Sequence, residues 1–435
     1  MFNGPEITMR KDLKHSEGTV EHREVHNAFG MFYHMATAEG LKIRTDPNER
    51  PLVLSRAFFA GTQRVGPVWT GDNAADWDHL KKSIPMTLTL GVSGLTWSGA
   101  DVGGFFGDPS PELMTRWYQL GIFYPFFRGH AHLDTKRREP WMFGDPYTGC
   151  IKSAIRRRYA LMPYLYTLFE AAHREGTPVL RPLWFEFPDD DSVAKIDTMA
   201  MVGPALLLAP VLDSGVEEIK IYLPKGAWYD YETSEKHVGP VTVTKSVTIE
   251  YIPLFIRGGY IVPRKDRARR SVAAQAGDPL TLLVAPDENG QAVGEIYVDD
   301  GKGYAYSVSE KYVRRGLVWS SDTMTCSSPS STTAKASGVE SGSVFAGRGT
   351  LKGGKGGDFA DADIIVERVS ILGTSVTNSP YKKGLVKKSG ISEPTEVAIV
   401  AASSSETPNA PRNVIAARKP EVKLAEEWTI EFAKK

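Results

Sequence analysis

The sequence has few of the features that would assign it to a specialised class of protein. Lysine plus arginine and aspartate plus glutamate each number 52, so the formal net charge is zero and nothing points to nucleic acid or an anionic membrane. Its two cysteines, Cys150 and Cys326, lie in stretches that we expect to belong to different domains. A disulfide between them stays open, and so small a number says little about the compartment.

Long apolar runs are also missing. The longest run, residues 199–212, contains Gly203, Pro204 and Pro210, so it is too short and too broken to cross a bilayer. The first residues are polar and do not resemble a signal peptide, and the last five are not a Lys-Asp-Glu-Leu type of retention signal. What is present is length, since 435 residues suffice for two or three domains.

Four short apolar runs in the first third of the chain each lead to a polar or charged side chain. Continuous apolar runs are typical of buried parallel strands, and a barrel of such strands carries its chemistry at their C-terminal ends. We therefore expect these side chains to converge on one site, beside Trp69, Trp97 and Phe105, in a pocket that suits a sugar. The runs are 52–55, 67–70, 94–97 and 123–127, and the polar residues that follow them are Arg56, Asp72, Asp101, Arg128 and His130.

Helical periodicity separates these runs and predicts an α/β barrel. We expect helices over about 24–40, 73–90, 109–121 and 149–175, the third with Ser110 as its N-cap. Only four strands can be counted, whereas a closed barrel has about eight. The expected fold of this part is therefore the C-terminal half of a (β/α)8 barrel, whose other half has been lost or is supplied by another chain.

After about residue 176 the pattern changes to short runs with strong β propensity. The predicted fold class is thus α/β plus all-β, with two β-sandwich-like domains after the half-barrel. A stretch at about 327–361 is rich in Ser, Gly, Thr and Lys, and we expect a disordered insertion there. The predicted domains are the half-barrel (1–175), a proximal β domain (176–265) and a distal β domain (266–435).

Three long stretches, 68–106, 116–141 and 172–188, resemble glycoside hydrolase family thirty-one. The resemblance runs from Phe2 to about residue 320 and implies a retaining exo-acting α-glycosidase that uses no metal or cofactor. It implies that Asp72 is the general acid/base. It further implies that Arg56 and Asp101 bind the terminal glucose, that Arg128 and His130 contact sugar hydroxyls, and that Trp69 and Phe105 wall the glucose subsite.

The chemistry of this family requires two carboxyl groups. One protonates the leaving oxygen and later activates water, while the other attacks as nucleophile from about 5–5.5 Å away. In the family the nucleophile is the Asp of Trp-x-Asp-Met-Asn-Glu, just before Phe-Asn-Gly-Pro-Glu, and this sequence begins at Met1 with the latter motif. We therefore expect no hydrolase activity from this chain alone. Glu6 is the nearest carboxylate, but it lies outside the motif.

Within the family, the stretch 130–141 favours an enzyme that trims α-1,3-linked glucose from N-glycans. The resemblance then implies an oligosaccharide substrate, a non-catalytic β subunit as partner, and the endoplasmic-reticulum lumen as location. Another α-glucosidase specificity, an α-xylosidase, and a non-catalytic carbohydrate-binding fragment remain as alternatives. No contact with nucleic acid or a membrane is expected.

Structural roles also compete with the functional ones at individual residues. Asp72 fits an N-cap of the helix at 73–90, Asp101 a turn before two glycines, and Arg56 a structural ion pair. His132 is expected to serve its loop rather than the site. The arginine runs at 137–138 and 156–158 are interpreted as solvated or salt-bridged faces, Trp69 and Trp97 also fit a core, and Asp299-Asp300 is interpreted as a turn.

Overall fold

The computed structural model describes residues 9–328, 364–373, 381–389, 393–401 and 414–434. Within these ranges an α/β region comes first and two β sheets follow it. The insertion predicted at about 327–361 falls outside the described residues, apart from Ser327, which ends a strand, and Ser328. No helix in the described ranges is long and apolar enough to cross a membrane.

Five helices in the α/β region follow the predicted periodicity. The Ser110 hydroxyl accepts a hydrogen bond from a backbone N–H of the first turn, and Pro111 is the first helical residue, so this predicted helix start is confirmed. The helix predicted over 149–175 is two helices, because the helical backbone conformation is interrupted at Leu161. The helices are α1 (His22–Arg44), α2 (Trp77–Val92), α3 (Pro111–Gly121), α4 (Tyr147–Ala160) and α5 (Met162–Glu175).

The strands of this region are shorter than predicted. Residues 123–127 are not a strand: Phe123 and Tyr124 close tight turns onto the end of α3, and the strand begins only at Arg128. Parallel pairing nevertheless orders the four chain segments as predicted, because Ser55 bridges Val68 and the N–H of Phe126 donates to the carbonyl of Ser98. The strands are β1 (Lys14–His15), β2 (Val20–Glu21), β3 (Val68–Trp69), β4 (Ser98–Gly99), β5 (Asp101–Val102) and β6 (Arg128–Gly129).

A six-stranded antiparallel sheet, here the proximal sheet, follows α5. Its spatial order is β11-β10-β12-β9-β8-β7, and its apolar face packs around Trp228 and Phe255. It is one sheet rather than the two layers of the predicted sandwich. The strands are β7 (Leu180–Arg181), β8 (Ala200–Val202), β9 (Leu206–Leu208), β10 (Glu218–Asp230), β11 (Lys236–Ser246) and β12 (Leu254–Arg257), and α6 (Leu183–Glu186) follows β7.

The remaining ten strands close into a ring, here the distal barrel, which differs from the predicted sandwich. Its spatial order is β13-β14-β18-β21-β20-β19-β22-β17-β16-β15, and β15 pairs back onto β13. The strands are β13 (Tyr260–Arg264), β14 (Leu280–Ala285), β15 (Ala292–Val298), β16 (Val313–Ser320), β17 (Thr323–Ser327), β18 (Ile365–Leu372), β19 (Tyr381–Lys388), β20 (Thr395–Ala401), β21 (Val414–Lys423) and β22 (Trp428–Lys434), with the short helices α7 (Val272–Gln275) and α8 (Ala305–Val308) between them.

Two arginines of the run expected on a solvated or salt-bridged face, Arg157 and Arg158, are buried. Arg158 donates hydrogen bonds to the carbonyls of Ile122, Tyr124 and Pro125, and so holds the turn that leads into β6. Arg157 pairs with Glu232 beside the proximal sheet. The salt-bridged interpretation therefore holds for Arg157, whereas Arg158 is buried against backbone carbonyls, which the run of like charges did not indicate.

Two further expectations are settled by contacts. Both cysteines are buried and free, so the disulfide that the sequence left open is not formed. The turn at Asp299-Asp300 is confirmed, since both carboxylates accept backbone N–H groups of residues 301–303. Asp299 also accepts a hydrogen bond from Tyr166 of α5, at 2.5 Å, and thereby ties the distal barrel to the α/β region.

Candidate active site

Asp72 lies just beyond β3, in a segment whose backbone packs against Arg56. Gly71 has φ +87°, and a Cβ there would lie 3.0 Å from Nε of Arg56, so the close approach of the guanidinium requires a glycine. Arg56 Nη1 lies 3.8 Å from Oδ2 of Asp72, whose side chain is 9% exposed. The alternative role of Asp72 as a helix cap is wrong, because Asp76 caps α2 by accepting the N–H of His79.

Asp101, the first residue of β5, is fully buried and bound by Arg128, the first residue of β6. Arg128 Nη2 donates to Oδ1 at 2.6 Å and Nε donates to the same oxygen at 3.2 Å. Burial raises the pKa of the Asp101 carboxyl, and the hydrogen bond and charge of Arg128 oppose this rise. The charge of Asp72 adds to the rise, so the two carboxyl groups are near enough to interact.

Trp69 completes the centre of the cluster. The guanidinium carbon of Arg128 lies 5.1 Å from the centre of its ring, within the range of a cation–π contact. Three buried polar atoms here have no hydrogen-bond partner: Nε1 of Trp69, Oδ2 of Asp72 and Oδ2 of Asp101. Because buried polar atoms are nearly always paired, ordered water or a polar ligand supplies the partners of these three.

Phe105 and His130 form the outer wall of the site. Their ring centres are 5.4 Å apart, and the charge of His130 acts on Asp101. His132 serves its loop, as expected, because its N–H donates to the carbonyl of Phe105 and its ring contacts Phe106. The structure thus brings together all seven residues predicted for the site: Arg56, Trp69, Asp72, Asp101, Phe105, Arg128 and His130.

Trp97 does not belong to this cluster, although the sequence placed it there. Its ring packs edge-on against Phe169 of α5, and it lines a cavity of about 730 Å³ that contains none of the seven residues. Successive side chains of an extended segment point to opposite sides. Residues 94–97, predicted as a strand, instead lead into β4 (Ser98–Gly99), so the run gave neither the exact bounds of the strand nor the direction of this side chain.

Two residues that the sequence analysis did not propose hold the loop that carries Phe105. Asn73 is buried and bonds to both Asp101 and Phe105. Arg138 donates to the carbonyls of Gly103, Gly104 and Gly107, and so is not a solvated charge. The sequence offered a weak signal for Asn73, which directly follows the predicted acid/base, and none for Arg138.

This arrangement of strand-end carboxylates, guanidinium groups and aromatic walls agrees with the comparisons to known families. Residues 1–168 match the TIM-barrel domain of the glycosyl hydrolases of family 31, and residues 176–262 match the C-terminal domain of that family. The chain therefore belongs to glycosyl hydrolase family 31.

The individual relatives are α-glucosidases. The chain is 46% identical over 434 residues to a probable glucan 1,3-alpha-glucosidase of Oryza sativa subsp. japonica, covering 100% of the chain and 44% of the relative. It is 52% identical over 330 residues to the neutral alpha-glucosidase AB of Homo sapiens, covering 75% of the chain and 35% of the relative. The chain thus spans less than half the length of these relatives.

Solved structures of glucosidase II also superpose on almost the whole chain, again over less than half of their own length. A crystal structure of glucosidase II alpha subunit in an alpha3-Glc2-bound form superposes with a TM-score of 0.86 at 38% identity, covering 99% of the chain and 45% of that structure. A heterodimeric complex of endoplasmic-reticulum glucosidase II, with its catalytic subunit and the binding domain of its regulatory subunit, also gives 0.86 at 37% identity, covering 99% of the chain and 45% of that structure.

Proposed function

We propose that this chain is part of a retaining exo-α-glucosidase that trims α-1,3-linked glucose from N-glycans during glycoprotein processing. The observation that carries the proposal is the set of three unpaired buried polar atoms on Trp69, Asp72 and Asp101. They offer one donor and two acceptors, and sugar hydroxyls can satisfy both kinds. The names of the relatives, which include a glucan 1,3-alpha-glucosidase, support the linkage.

Asp72 is the general acid/base of this proposal. Its Oδ2 makes no hydrogen bond, so a proton on that atom can pass to the leaving glycosidic oxygen without breaking a contact within the protein. Arg56 Nη1, 3.8 Å from this oxygen, then stabilises the carboxylate that remains. In the second step the same carboxylate takes a proton from water, as microscopic reversibility requires.

Asp101 and Arg128 hold the terminal glucose in place. The free Oδ2 of Asp101 accepts a sugar hydroxyl, while Arg128 keeps the carboxylate oriented through Oδ1. His130 contacts further hydroxyls, and Trp69 and Phe105 provide apolar walls for the ring. Charge-assisted hydrogen bonds of this kind are roughly twice as strong as neutral ones, so they orient the substrate firmly.

The second carboxylate of a retaining mechanism must lie about 5–5.5 Å from the first. In this proposal it belongs to a Trp-x-Asp-Met-Asn-Glu motif, which is not found in these 435 residues. We therefore expect the 435-residue chain on its own to hydrolyse no α-glucoside. Robust turnover of nigerose, the α-1,3-linked glucose disaccharide, by the purified chain would contradict this.

The remaining proposals concern organisation and setting. We divide the chain into the barrel part (1–175), a proximal β domain and a distal β domain, and we move the boundary predicted at 265/266 to a point before β13, because that strand pairs within the distal barrel. By analogy with the heterodimeric complex among the similar structures, the protein pairs with a non-catalytic β subunit and works in the endoplasmic-reticulum lumen. It needs no cofactor.

The test uses the protein at its natural length. Wild-type protein should release glucose from nigerose with retained α configuration in the first-formed product, as read by proton NMR. Asp72→Asn should lower the rate by about 10²–10⁴-fold, because the acid/base is lost. Asp213→Asn, at an exposed ion pair with Lys81, is the matched control and should change nothing.

Two outcomes would replace the proposal. Inverted product would rule out the retaining mechanism. Binding of nigerose in isothermal titration without any hydrolysis by the natural-length protein would favour a non-catalytic carbohydrate-binding role instead.

A further inference from the structure

Asn73 links the ends of two neighbouring segments at the site. Its Nδ2 donates to the carbonyl of Asp101 at 3.1 Å, and its Oδ1 accepts the N–H of Phe105 at 3.1 Å. Its own carbonyl accepts the N–H groups of Phe105 and Phe106, at 2.7 and 3.0 Å. The residue is 8% exposed, so these bonds form out of contact with bulk water and are correspondingly strong.

These bonds lie between the segment that carries Asp72 and the segment that carries Asp101. The parallel ladder between β3 and β4 ends where the N–H of Thr70 donates to the carbonyl of Gly99. Beyond that point the segment that carries Asp72 and the segment that carries Asp101 meet again at a bridge between Ala74 and Phe106, formed by the carbonyl of Asn73 and the N–H of Ala75. These backbone bonds reach only Phe105 and Phe106, whereas the side chain of Asn73 reaches the carbonyl of Asp101 itself.

The opposite side of the Phe105 loop is also fixed. Arg138 binds three loop carbonyls, and a Cβ on Gly104 would come within 2.4 Å of the backbone of Ala75. The loop therefore lies directly on the segment that follows Asn73.

We propose that Asn73 is a positioning residue that sets the placement of Asp101 and Phe105 relative to Asp72. The inference rests on the proposed function, because it assumes that Asp72 and Asp101 act on one sugar. An amide is needed since it donates at one end and accepts at the other, and aspartate can only accept. Misplacement of reacting groups by about 1 Å can cost about 10²-fold in rate.

Two variants of the natural-length protein separate positioning from mere support of the fold. Asn73→Ala removes both side-chain bonds and should lower kcat at least tenfold per folded molecule, with a smaller change in KM. Asn73→Asp keeps the shape but sets a carboxylate against the carbonyl of Asp101 and beside Asp72. It should lower kcat and move the basic limb of the pH profile of kcat/KM to higher pH, because added negative charge raises the pKa of the acid.

The groups whose charge also bears on this limb are Arg56, Asp101, Arg128 and His130, and none of them changes in the variants. Asn48→Asp, in an exposed turn, is the matched control and should shift neither quantity. Should Asn73→Ala fail to fold, Asn73→Asp decides the matter, since it is isosteric.

Values of kcat within twofold of wild type and an unmoved basic limb in Asn73→Asp would overturn the inference. A lower melting temperature of the Asn73 variants with unchanged kcat per folded molecule would also overturn the inference. If Asp72→Asn keeps full activity, the proposed function itself fails. If Asp72→Asn is inactive while the Asn73 variants behave as wild type, only the positioning role fails.

Discussion

Strands of the distal barrel such as β16 and β21 are eight and ten residues long, whereas β3 to β6 at the candidate site have two residues each. The distal core is apolar, with Leu317, Met324 and Ile430 fully buried. At the site the buried groups are a carboxylate and unpaired polar atoms. The regions therefore differ in what they bury, and we expect substitutions in the distal barrel to act mainly on stability and substitutions at the site to act mainly on activity.

A large-to-small change in the distal barrel should have the largest effect on stability. Trp319 is 3% exposed and packs edge-on against Phe432 with ring centres 5.1 Å apart. Trp319→Ala should lower the free energy of unfolding by about 3–5 kcal/mol, while activity per folded molecule stays unchanged. Urea unfolding followed by circular dichroism measures the free energy of unfolding. The control is Trp184→Ala, at a tryptophan that is 44% exposed.

A buried arginine of the α/β region should come next. Arg158→Met leaves the carbonyls of Ile122, Tyr124 and Pro125 without their donor, which should destabilise the protein by about 2–4 kcal/mol. Burial also lowers the pKa of Arg158 to about 10. Because this turn precedes β6, activity should fall as well. Arg156 is exposed, so Arg156→Met is the control. If Arg158→Met and Arg156→Met have equal free energies of unfolding, the bonds of Arg158 do not stabilise the α/β region.

The site itself should show the reverse behaviour. Asp101→Asn should lower kcat/KM by about 10²-fold or more, since a charged acceptor for the sugar is lost. The melting temperature should change little, because the amide oxygen of the variant still accepts the hydrogen bonds of Arg128, and relief from burying the carboxylate offsets the lost ion pair. Differential scanning calorimetry and kinetics on the same preparation give both numbers, with Asp213→Asn as control. A large drop in melting temperature would show that Asp101 mainly supports the fold.

The smallest expected effect is a pH dependence. Because burial raises the pKa of Asp101, its charged form is lost at a higher pH than for an ordinary aspartate, and sugar affinity should fall by up to about tenfold per pH unit below that pKa. Between the unfolded and folded pKa values the native state binds more protons, so the unfolding free energy decreases as pH rises through this window. Inhibition constants of glucose across pH measure the affinity, and Asp101→Asn should lack the acid limb.

The site was predictable because its pattern is local: each apolar run ended at the residue that the structure brings to the centre, as at Asp72 and Asp101. The lengths of the strands were not, since the extent of pairing depends on neighbours distant in sequence. Arg158 was misjudged because its backbone acceptors are distant in sequence, so the run of charges alone did not indicate burial. Arg138 pairs with Asp108, as the salt-bridged interpretation allowed, but its bonds to three loop carbonyls had no local signal. Closure of the distal barrel was also not predictable, because β13 and β15 pair through residues that are distant in sequence.

The ring of the distal barrel has a consequence for how the protein is made. β22 (Trp428–Lys434) lies between β17 and β19, so the gap beside β17 is filled by a segment about a hundred residues further along the chain. A ribosome must therefore release that segment before the ring can close, and until then β17 presents a bare edge. Pairing of this edge with another chain is therefore a hazard throughout the synthesis of the intervening residues.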